Sequence, residues 1–398
     1  MPVEISSVLV YLAVFLIAAK IGGLLAAKLR QPSVFGELLV GILIGPSVAG
    51  WILQQLGFPP LIDPTTPAGD FISILADLGI ILLLFLAGLS IDVGELKDAG
   101  KPSLIVATTG VLAAFTLGFG VAYLIGWSSL QAAFMGAVLA ATSVGITVRT
   151  LMDINRLHTR VGMTILGAAV IDDVIGIVIL SILVGFAYGG VSFLGLAENL
   201  GLIAVFFLVV IYIGFKVAPR MMTYVDKLPV EEMVLSTALA LAFLVSALAD
   251  KVRLAAITGA FVAGMVMSKA PVAGSLKDKI STIGYGLFIP IFFVEMGVRT
   301  SLQALGTASF LALAIVAVAM FDKIVGCGVG ALLSGFSRND SLRVGVGMMP
   351  RAEVALVVAA IGIKANIVDS TLFSITVMIV LVTSLITPLL VKYAFKGT

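Results

Sequence analysis

Apolar residues form long blocks along this chain, separated by short polar and charged segments. Most of the blocks approach or exceed the roughly 20 residues that a helix needs to cross a lipid bilayer. The thirteen apolar segments are 4–27, 33–53, 70–91, 102–126, 129–149, 159–187, 191–215, 230–249, 253–268, 282–298, 303–334, 339–364 and 370–395. The pattern therefore predicts an all-α polytopic membrane protein with thirteen transmembrane helices, of which the ninth and tenth are short.

The composition supports this class. The 398 residues are 60% hydrophobic and 12% charged, and the mean hydropathy of +1.20 exceeds that of ordinary soluble domains. A single cysteine, Cys327, excludes an intrachain disulfide. Without a His/Cys cluster we expect no zinc or iron site and no cofactor. The net charge of +2 gives no indication of nucleic acid binding.

The distribution of basic residues indicates the orientation, because short cytoplasmic loops retain Lys and Arg. The first segment lacks a positive leader and is followed by Lys28 and Arg30, which predicts a retained helix with its N-terminus outside. Eighteen basic residues then fall on the inner side and four on the outer side. We expect a multi-pass protein of a prokaryotic inner (plasma) membrane with a cytoplasmic C-terminus. The two remaining basic residues, Lys323 and Arg351, lie inside apolar segments.

Two adjacent aspartates, Asp172 and Asp173, lie near the middle of the sixth segment. A carboxylate at bilayer depth costs on the order of 3 kcal/mol, so such residues by default belong to an ion or proton pathway. On a helix they point about 100° apart, and their titration is a property of the pair. Lys323, roughly mid-bilayer in segment eleven, is the natural counter-ion. A purely structural ion pair is the alternative, but it leaves one carboxylate over.

An internal repeat is indicated at a fixed offset. Gly88 and Gly297, which close similar aromatic-to-glycine endings of segments three and ten, are 209 residues apart. The same offset relates polar interruptions at 141–145 and 350–354, in segments five and twelve. The copies are seven segments apart, and an odd number of crossings reverses direction. We therefore expect an inverted repeat with two discontinuous helices that meet near the midplane, as in many secondary transporters.

The expected break points are Thr142-Ser143 and Pro350. Proline removes a backbone donor, while Thr and Ser hydroxyls can bond carbonyls that a break frees. Half-helix ends could supply partial charges to an ion. Simple helix kinks are the alternative at either position. Near the second break, Arg351 and Glu353 either neutralise each other or place one structural charge at the break.

Five further acidic residues have several possible roles. Glu37, Asp77 and Asp92 are candidate funnel or gating residues, although Glu37 and Asp92 lie near the inner ends of their segments, where solvation is the simpler expectation. Asp322 directly precedes Lys323 and is a candidate second partner for it. The sequence assigns no role to Glu295.

Taken together, these motifs resemble one family over almost the whole chain: the monovalent cation:proton antiporters of the NapA/Kef-like branch, with the NhaA-like proteins as more distant members that share the fold. The motifs that carry the resemblance are Gly36 to Gly41 with Gly45-Pro46, Phe85 to Leu89, Ala141 to Thr147, Gly167 to Val174, Lys323 to Gly326, and Pro350 to Glu353.

The resemblance implies a homodimer of single transmembrane antiporter units, residues 1–398, with an NhaA-like fold. Each unit would have a mobile ion-binding core of segments four to six and eleven to thirteen, within 70–187 and 303–395, and a scaffold that makes the dimer interface.

It also implies roles for single residues. Asp173 is similar to the ion-binding carboxylate, and Asp172 to the neighbour that pairs with Lys323. Thr142 and Ser143 resemble the polar ligands of the broken helix, and the transported Na+ would bind at Asp173 and Asp172. Glu353, with Arg351, would be a structural charge near the other break.

The expected activity is secondary active exchange of Na+, and of Li+ as a further candidate, for H+ by alternating access, which serves pH homeostasis and involves no enzymatic chemistry. Relatives with Asn before the essential Asp are commonly electroneutral, so Asp172 favours an electrogenic cycle. K+/H+ or electroneutral antiport is the alternative, followed by an uncoupled cation channel. The chain stops at Thr398 without the nucleotide-binding domain of many Kef-like proteins, and Glu295 stands where relatives usually have a small or neutral residue.

Overall fold

The computed structural model describes residues 4–91, 93–187, 193–299, 310–365 and 367–396. Within these ranges all regular structure is helical. The helices are α1 (Ile5–Lys28), α2 (Ser33–Ile44), α3 (Trp51–Gln55), α4 (Pro67–Leu89), α5 (Val93–Leu124), α6 (Ser129–Ala140), α7 (Val144–Asp153), α8 (Arg160–Ala187), α9 (Phe193–Val225), α10 (Met233–Lys251), α11 (Ala256–Met267), α12 (Ala273–Ile283), α13 (Ile289–Val298), α14 (Phe310–Leu333), α15 (Arg338–Gly347), α16 (Glu353–Lys364) and α17 (Ser370–Ala394). Five-residue π-helical turns at Pro46–Gly50 and Gly284–Phe288 lead into α3 and α13.

Eleven stretches of the described chain are long and apolar enough to cross a membrane. They are Ile5–Lys28, Ser33–Gln55, Pro67–Leu89, Asp98–Leu124, Ser129–Asp153, Arg160–Phe186, Leu194–Val225, Met233–Lys251, Ala273–Val298, Ala312–Leu333 and Thr371–Ala394. The predicted all-α membrane class is therefore confirmed, whereas thirteen spans stay a prediction.

Two of the predicted segments account for the difference between eleven and thirteen spans. The ninth segment contains only the 12-residue α11, and the twelfth is divided so that its one apolar helix is Val354–Ile363. The tenth segment is longer than predicted, because its helix begins at Ala273 and continues through the charged residues Lys277, Asp278 and Lys279.

The chain divides into two compact units. The first comprises Met1–Ile17, Thr65–Lys97 and Phe193–Glu295, and the second comprises Ala18–Pro64, Asp98–Ser192 and Met296–Thr398. In the first unit α4 and α11 cross at Gly88 and Gly264. A Cβ at Gly264 would overlap the carbonyl oxygen of Phe85, so only glycine permits this approach.

The second unit contains a buried apolar cluster to which α6, α14, α16 and α17 contribute, with Phe134, Ile315, Val358 and Met378 as representatives. Close packing, rather than exclusion of water, stabilises such contacts in lipid. At Gly345 the half-helix α15 approaches the backbone of Ile324 in α14, where a Cβ would not fit.

Two helices of the second unit are interrupted at the positions where the sequence has polar residues. α6 ends at Ala140 and α7 begins at Val144, and Ala141 and Ser143 between them are extended. α15 ends at Gly347 and α16 begins at Glu353. Both interrupted helices start with a capping serine, because the hydroxyls of Ser128 and Ser337 accept the N–H groups of residues 131 and 340.

The two interruptions are in direct contact. The N–H of Ser143 donates to the carbonyl of Pro350 at 2.8 Å. One turn further along α7, the Thr147 hydroxyl donates to the carbonyl of Gly347 at 2.6 Å. Each break thus provides hydrogen-bond partners for backbone groups that the other break leaves unpaired. Such partners are required where no water is available.

Candidate ion-binding site

The two aspartates of the sixth segment lie on α8, with Asp172 buried and Asp173 partly buried. Lys323 of α14 donates its Nζ to Oδ1 of Asp172 at 2.8 Å. The side chains of this pair are 0% and 2% exposed. Removing two charges from water is expensive, and at this depth each depends on the other for compensation.

A second buried ion pair lies beside the first. Nη2 of Arg351, at the second break, donates to Oδ1 of Asp322 at 2.8 Å, and both side chains are 0% exposed. Because Asp322 and Lys323 are consecutive on α14, this helix provides one charge to each pair. Oδ1 of Asp322 also accepts the backbone N–H of Lys323.

Arg351 also binds the half-helix that precedes it. Its guanidinium donates to the carbonyls of Met348 and Met349, which follow the end of α15. A cation at the C-terminal end of a helix is favourable, since the unpaired carbonyls there carry partial negative charge. The backbone of Arg351 is held in turn by the hydroxyls of Thr383 and Ser384 on α17, at 3.0 Å each.

The partner of Arg351 was not assigned from the sequence, which left neutralisation by Glu353 open. In the structure the guanidinium pairs with Asp322, 29 residues earlier. The sequence alone suggests Asp322 only as a second candidate partner of Lys323. The signal that could have suggested this pairing is the presence of two intramembrane acids and two intramembrane bases on segments that the repeat brings together. The side chain of Glu353 lies outside the described residues.

The first break presents oxygen atoms in a buried setting. Thr142 and Ser143 are 6% and 1% exposed. Oγ1 of Thr142 has no hydrogen-bond partner among the described residues, and the same holds for Oδ2 of Asp322. A buried hydroxyl without a partner costs about 1–3 kcal/mol, so such an atom is available to a ligand. Hydroxyl and carboxylate oxygens are the donors that hard cations prefer.

Glu37 was expected to be solvated, but the structure buries it. It is buried, at 4% exposure, and its Oε1 lies 3.9 Å from the guanidinium of Arg149 on α7. Arg149 also lies 3.3 Å from Asp153, whose Oδ2 accepts the Ser33 hydroxyl at 2.6 Å. The expectation was wrong because the neighbouring half-helix supplies a counter-charge that a single segment does not reveal. The cluster joins the start of α2 to the end of α7.

The other acidic candidates lie apart from these ion pairs. Asp77 is exposed on α4, and Asp92 lies outside the described residues. Glu295 accepts the Ser73 hydroxyl at 2.8 Å within the first unit. No group of three or more His, Cys, Asp and Glu residues in the described ranges could hold a metal ion.

Known proteins resemble the chain over nearly its full length. The profile of a family described as sodium/hydrogen exchanger, transmembrane, matches residues 13–396. The chain is 36% identical over 389 residues to the Na+/H+-K+ antiporter GerN of Bacillus cereus, covering 96% of this chain and 95% of that protein. It is 34% identical over 387 residues to a Na+/H+ antiporter of Enterococcus hirae, covering 97% of each.

A solved structure shares the fold. The sodium proton antiporter MjNhaP1 of Methanocaldococcus jannaschii superimposes with a TM-score of 0.69 and 18% identity, over 100% of both chains. At that identity the likeness concerns the fold, whereas the family profile and the bacterial relatives concern the sequence itself. The chain therefore belongs to the family of transmembrane sodium/hydrogen exchangers, and it is a transporter rather than an enzyme.

Proposed function

We propose that this protein exchanges Na+ for H+ by alternating access and that each cycle moves net charge. Asp173 is the carboxylate for which Na+ and protons compete. Asp172 joins the Na+ site when its pair with Lys323 opens, and Thr142 and Ser143 supply further oxygen ligands from the first break. Asp322, Arg351 and Glu353 carry structural charges that the cycle does not use.

The observation that supports this proposal most is the buried Lys323–Asp172 ion pair adjoining Asp173. Asp172 and Lys323 cancel, as do Asp322 and Arg351, so the four charges of these two pairs sum to zero. Asp173 adds one negative charge. A single Na+ or a single proton neutralises it, which is the condition for a carboxylate to cross an apolar barrier at low cost.

Coupling follows from the cost of the unloaded site. A core with an empty, ionised Asp173 must move an uncompensated charge, whereas a core in which Na+ or H+ neutralises Asp173 and the Lys323–Asp172 pair is intact does not. If Na+ also draws Asp172 away from Lys323, an ammonium without a partner would cost several kcal/mol at 0% exposure, so Lys323 gives up a second proton. The Na+-loaded core then carries one more negative charge than the protonated core, and this difference is the charge that the cycle moves. Two protons per Na+ transfer one net charge, which the membrane potential drives by about 2.3 kcal/mol per 100 mV.

The expected inverted repeat is supported by helix boundaries that recur at an offset of 209 residues. α4 and α13 end at Leu89 and Val298, and α5 and α14 end at Leu124 and Leu333. The half-helices α6 and α15, and likewise α7 and α16, begin 209 residues apart. We propose that the two copies have opposite orientations, with thirteen crossings, an outside N-terminus and a cytoplasmic C-terminus.

We further propose that segments four to six and eleven to thirteen form the moving core, that the remaining helices form the scaffold, and that two copies of the chain associate through the scaffold. The broken helices and both buried ion pairs belong to these core segments. This arrangement would move the site as one body while the dimer remains fixed in the membrane.

K+/H+ exchange is the second candidate, because the name of the GerN relative includes K+ as well as Na+. Asp172 favours the electrogenic Na+ cycle over an electroneutral one, since the opening of its pair with Lys323 releases the additional proton from the ammonium. An uncoupled channel is disfavoured by Lys323, because a fixed cation beside a continuous pore would repel cations.

The test uses purified protein in liposomes with an internal pH dye and a voltage-sensitive dye. An imposed Na+ gradient should drive proton flux and generate a voltage in the wild type, and repeating the assay with K+ and Li+ establishes selectivity. Asp173→Asn should abolish both signals. The matched control is Asp226→Asn, at an exposed loop residue that follows α9. Normal Na+-dependent proton flux in Asp173→Asn would contradict the site assignment, and flux without voltage would contradict electrogenicity.

A further inference from the structure

A cavity of about 660 Å³ lies in the second unit, apart from the two buried ion pairs. Its walls come from the residues that follow α1, the residues that follow α7 and the last two turns of α17. The volume is within the range of small-molecule sites. Three helix C-termini therefore meet around one space.

Four basic side chains line this cavity: Arg30, Arg156, Lys392 and Lys396. No carboxylate of the described residues lines it. Arg30, Lys392 and Lys396 form no ion pair within the part of the chain that the structure describes. Within the described residues, three of the four cations of the cavity thus have no compensating acid.

Tight turns set the backbone at two of these basic residues, Arg30 and Arg156. Arg30 has a left-handed backbone (φ 56°) just after α1, and the next N–H, that of Gln31, returns to the carbonyl of Ala26 at 2.7 Å. α7 ends in the same kind of turn, in which the N–H of Arg156 donates to the carbonyl of Leu151 at 2.8 Å. Such turns close a helix and give the following residue a defined direction.

The partial charges of the helix ends do not balance these cations. Each C-terminus carries about −0.5 elementary charge, so three supply about −1.5. The three basic side chains that form no ion pair in the described ranges, Arg30, Lys392 and Lys396, supply +3. About +1.5 charges therefore remain, which favours a bound anion.

The rest of the lining is apolar. Leu389 and Leu390 form part of the wall, and Leu29 and Tyr393 at its rim are 70% and 75% exposed. A small inorganic anion would gain nothing from contact with this apolar surface, whereas an acyl chain would cover it. Basic pockets at the cytoplasmic ends of transmembrane helices suit anionic lipid headgroups, and basic side chains near such lipids contribute to their binding.

We propose that this cavity binds the phosphate headgroup of an anionic phospholipid, with the acyl chains lying along Leu389, Leu390 and Tyr393. The basic residues that line it all belong to the set that charge distribution assigns to the inner side. The lipid would therefore come from the inner leaflet. This site is separate from the cation site, so either assignment can fail without the other.

The test compares lipids and variants on the full-length protein, delipidated in detergent. Thermal unfolding is followed while phosphatidylglycerol, phosphatidylcholine or glycerol 3-phosphate is added. We expect phosphatidylglycerol to stabilise the wild type at concentrations where the other two do not. Arg30→Gln combined with Lys392→Gln should lower the apparent affinity about thirtyfold, because each basic residue contributes about a factor of five.

The matched control is Lys227→Gln combined with Lys269→Gln, which removes the same charge from exposed positions outside the cavity. It should bind phosphatidylglycerol like the wild type. Equal stabilisation by phosphatidylcholine would refute recognition of charge, and equal stabilisation by glycerol 3-phosphate would reduce the site to a free-phosphate site. Equal losses in the two double variants would refute the location. If the first double variant does not purify, its single substitutions should each cost about fivefold.

Discussion

Removal of the Arg351 guanidinium should destabilise this protein more than the loss of any exposed ion pair. In Arg351→Gln, Asp322 keeps its burial at 0% exposure but loses the cation at 2.8 Å. Breaking a buried pair from one side costs about 3–5 kcal/mol, because the remaining charge has no compensation. The carbonyls of Met348 and Met349 also lose donors, so the upper part of that range is expected.

The free energy of unfolding can be measured by titrating dodecyl sulfate into dodecyl maltoside micelles. The control is Lys279→Gln, because Lys279 and Glu232 form a 2.8 Å pair whose side chains are 42% and 55% exposed. Such a pair contributes about 0.2–1 kcal/mol. Combining Arg351→Gln with Asp322→Asn should recover most of the loss. The reasoning is wrong if Arg351→Gln costs no more than Lys279→Gln, or if the double variant is as unstable as Arg351→Gln alone.

Two further substitutions test the site and the packing. Thr142→Val removes the buried hydroxyl without changing the size of the side chain, and it should raise the KM for Na+ about tenfold at an unchanged kcat, whereas Thr108→Val on the exposed side of α5 should not. Equal KM values would remove Thr142 from the ligand set. Gly264→Ala should cost about 1–3 kcal/mol of unfolding free energy in the same micelle titration, because its Cβ would meet the Phe85 carbonyl, whereas Gly201→Ala on α9 has open space and should be neutral or stabilising. A neutral Gly264→Ala would contradict the tight crossing.

The membrane class and the helix breaks could be predicted from local sequence, for a physical reason. A span is a property of about twenty consecutive residues, and a break needs polar residues or proline within an apolar block. Both signals are contiguous, so they can be read without knowing the neighbours. The short α11 was also recognisable as an apolar segment, but its near-complete burial by other helices was not.

Charge partners were harder to predict, because pairing depends on which helices face each other. Arg351 lay two residues from Glu353 in sequence, yet its guanidinium pairs with Asp322 on another helix. Glu37 lay near the inner end of a segment and was expected in water, but Arg149 comes beside it from α7. In both cases the deciding neighbour is more than twenty residues away.

The placement of two opposite charges at consecutive positions of α14 has a consequence for the proposed cycle. Residues at i and i+1 on a helix do not face each other, so Asp322 and Lys323 are directed to different partners. Asp322 holds Arg351, whose guanidinium also binds two carbonyls, and this pair has additional anchors that make it permanent. Among the described residues, the ammonium of Lys323 donates a hydrogen bond to Asp172 alone. In the proposed cycle the Lys323–Asp172 pair is therefore the one that Na+ opens, and net charge movement would depend on Asp172 rather than on Asp322 or Arg351.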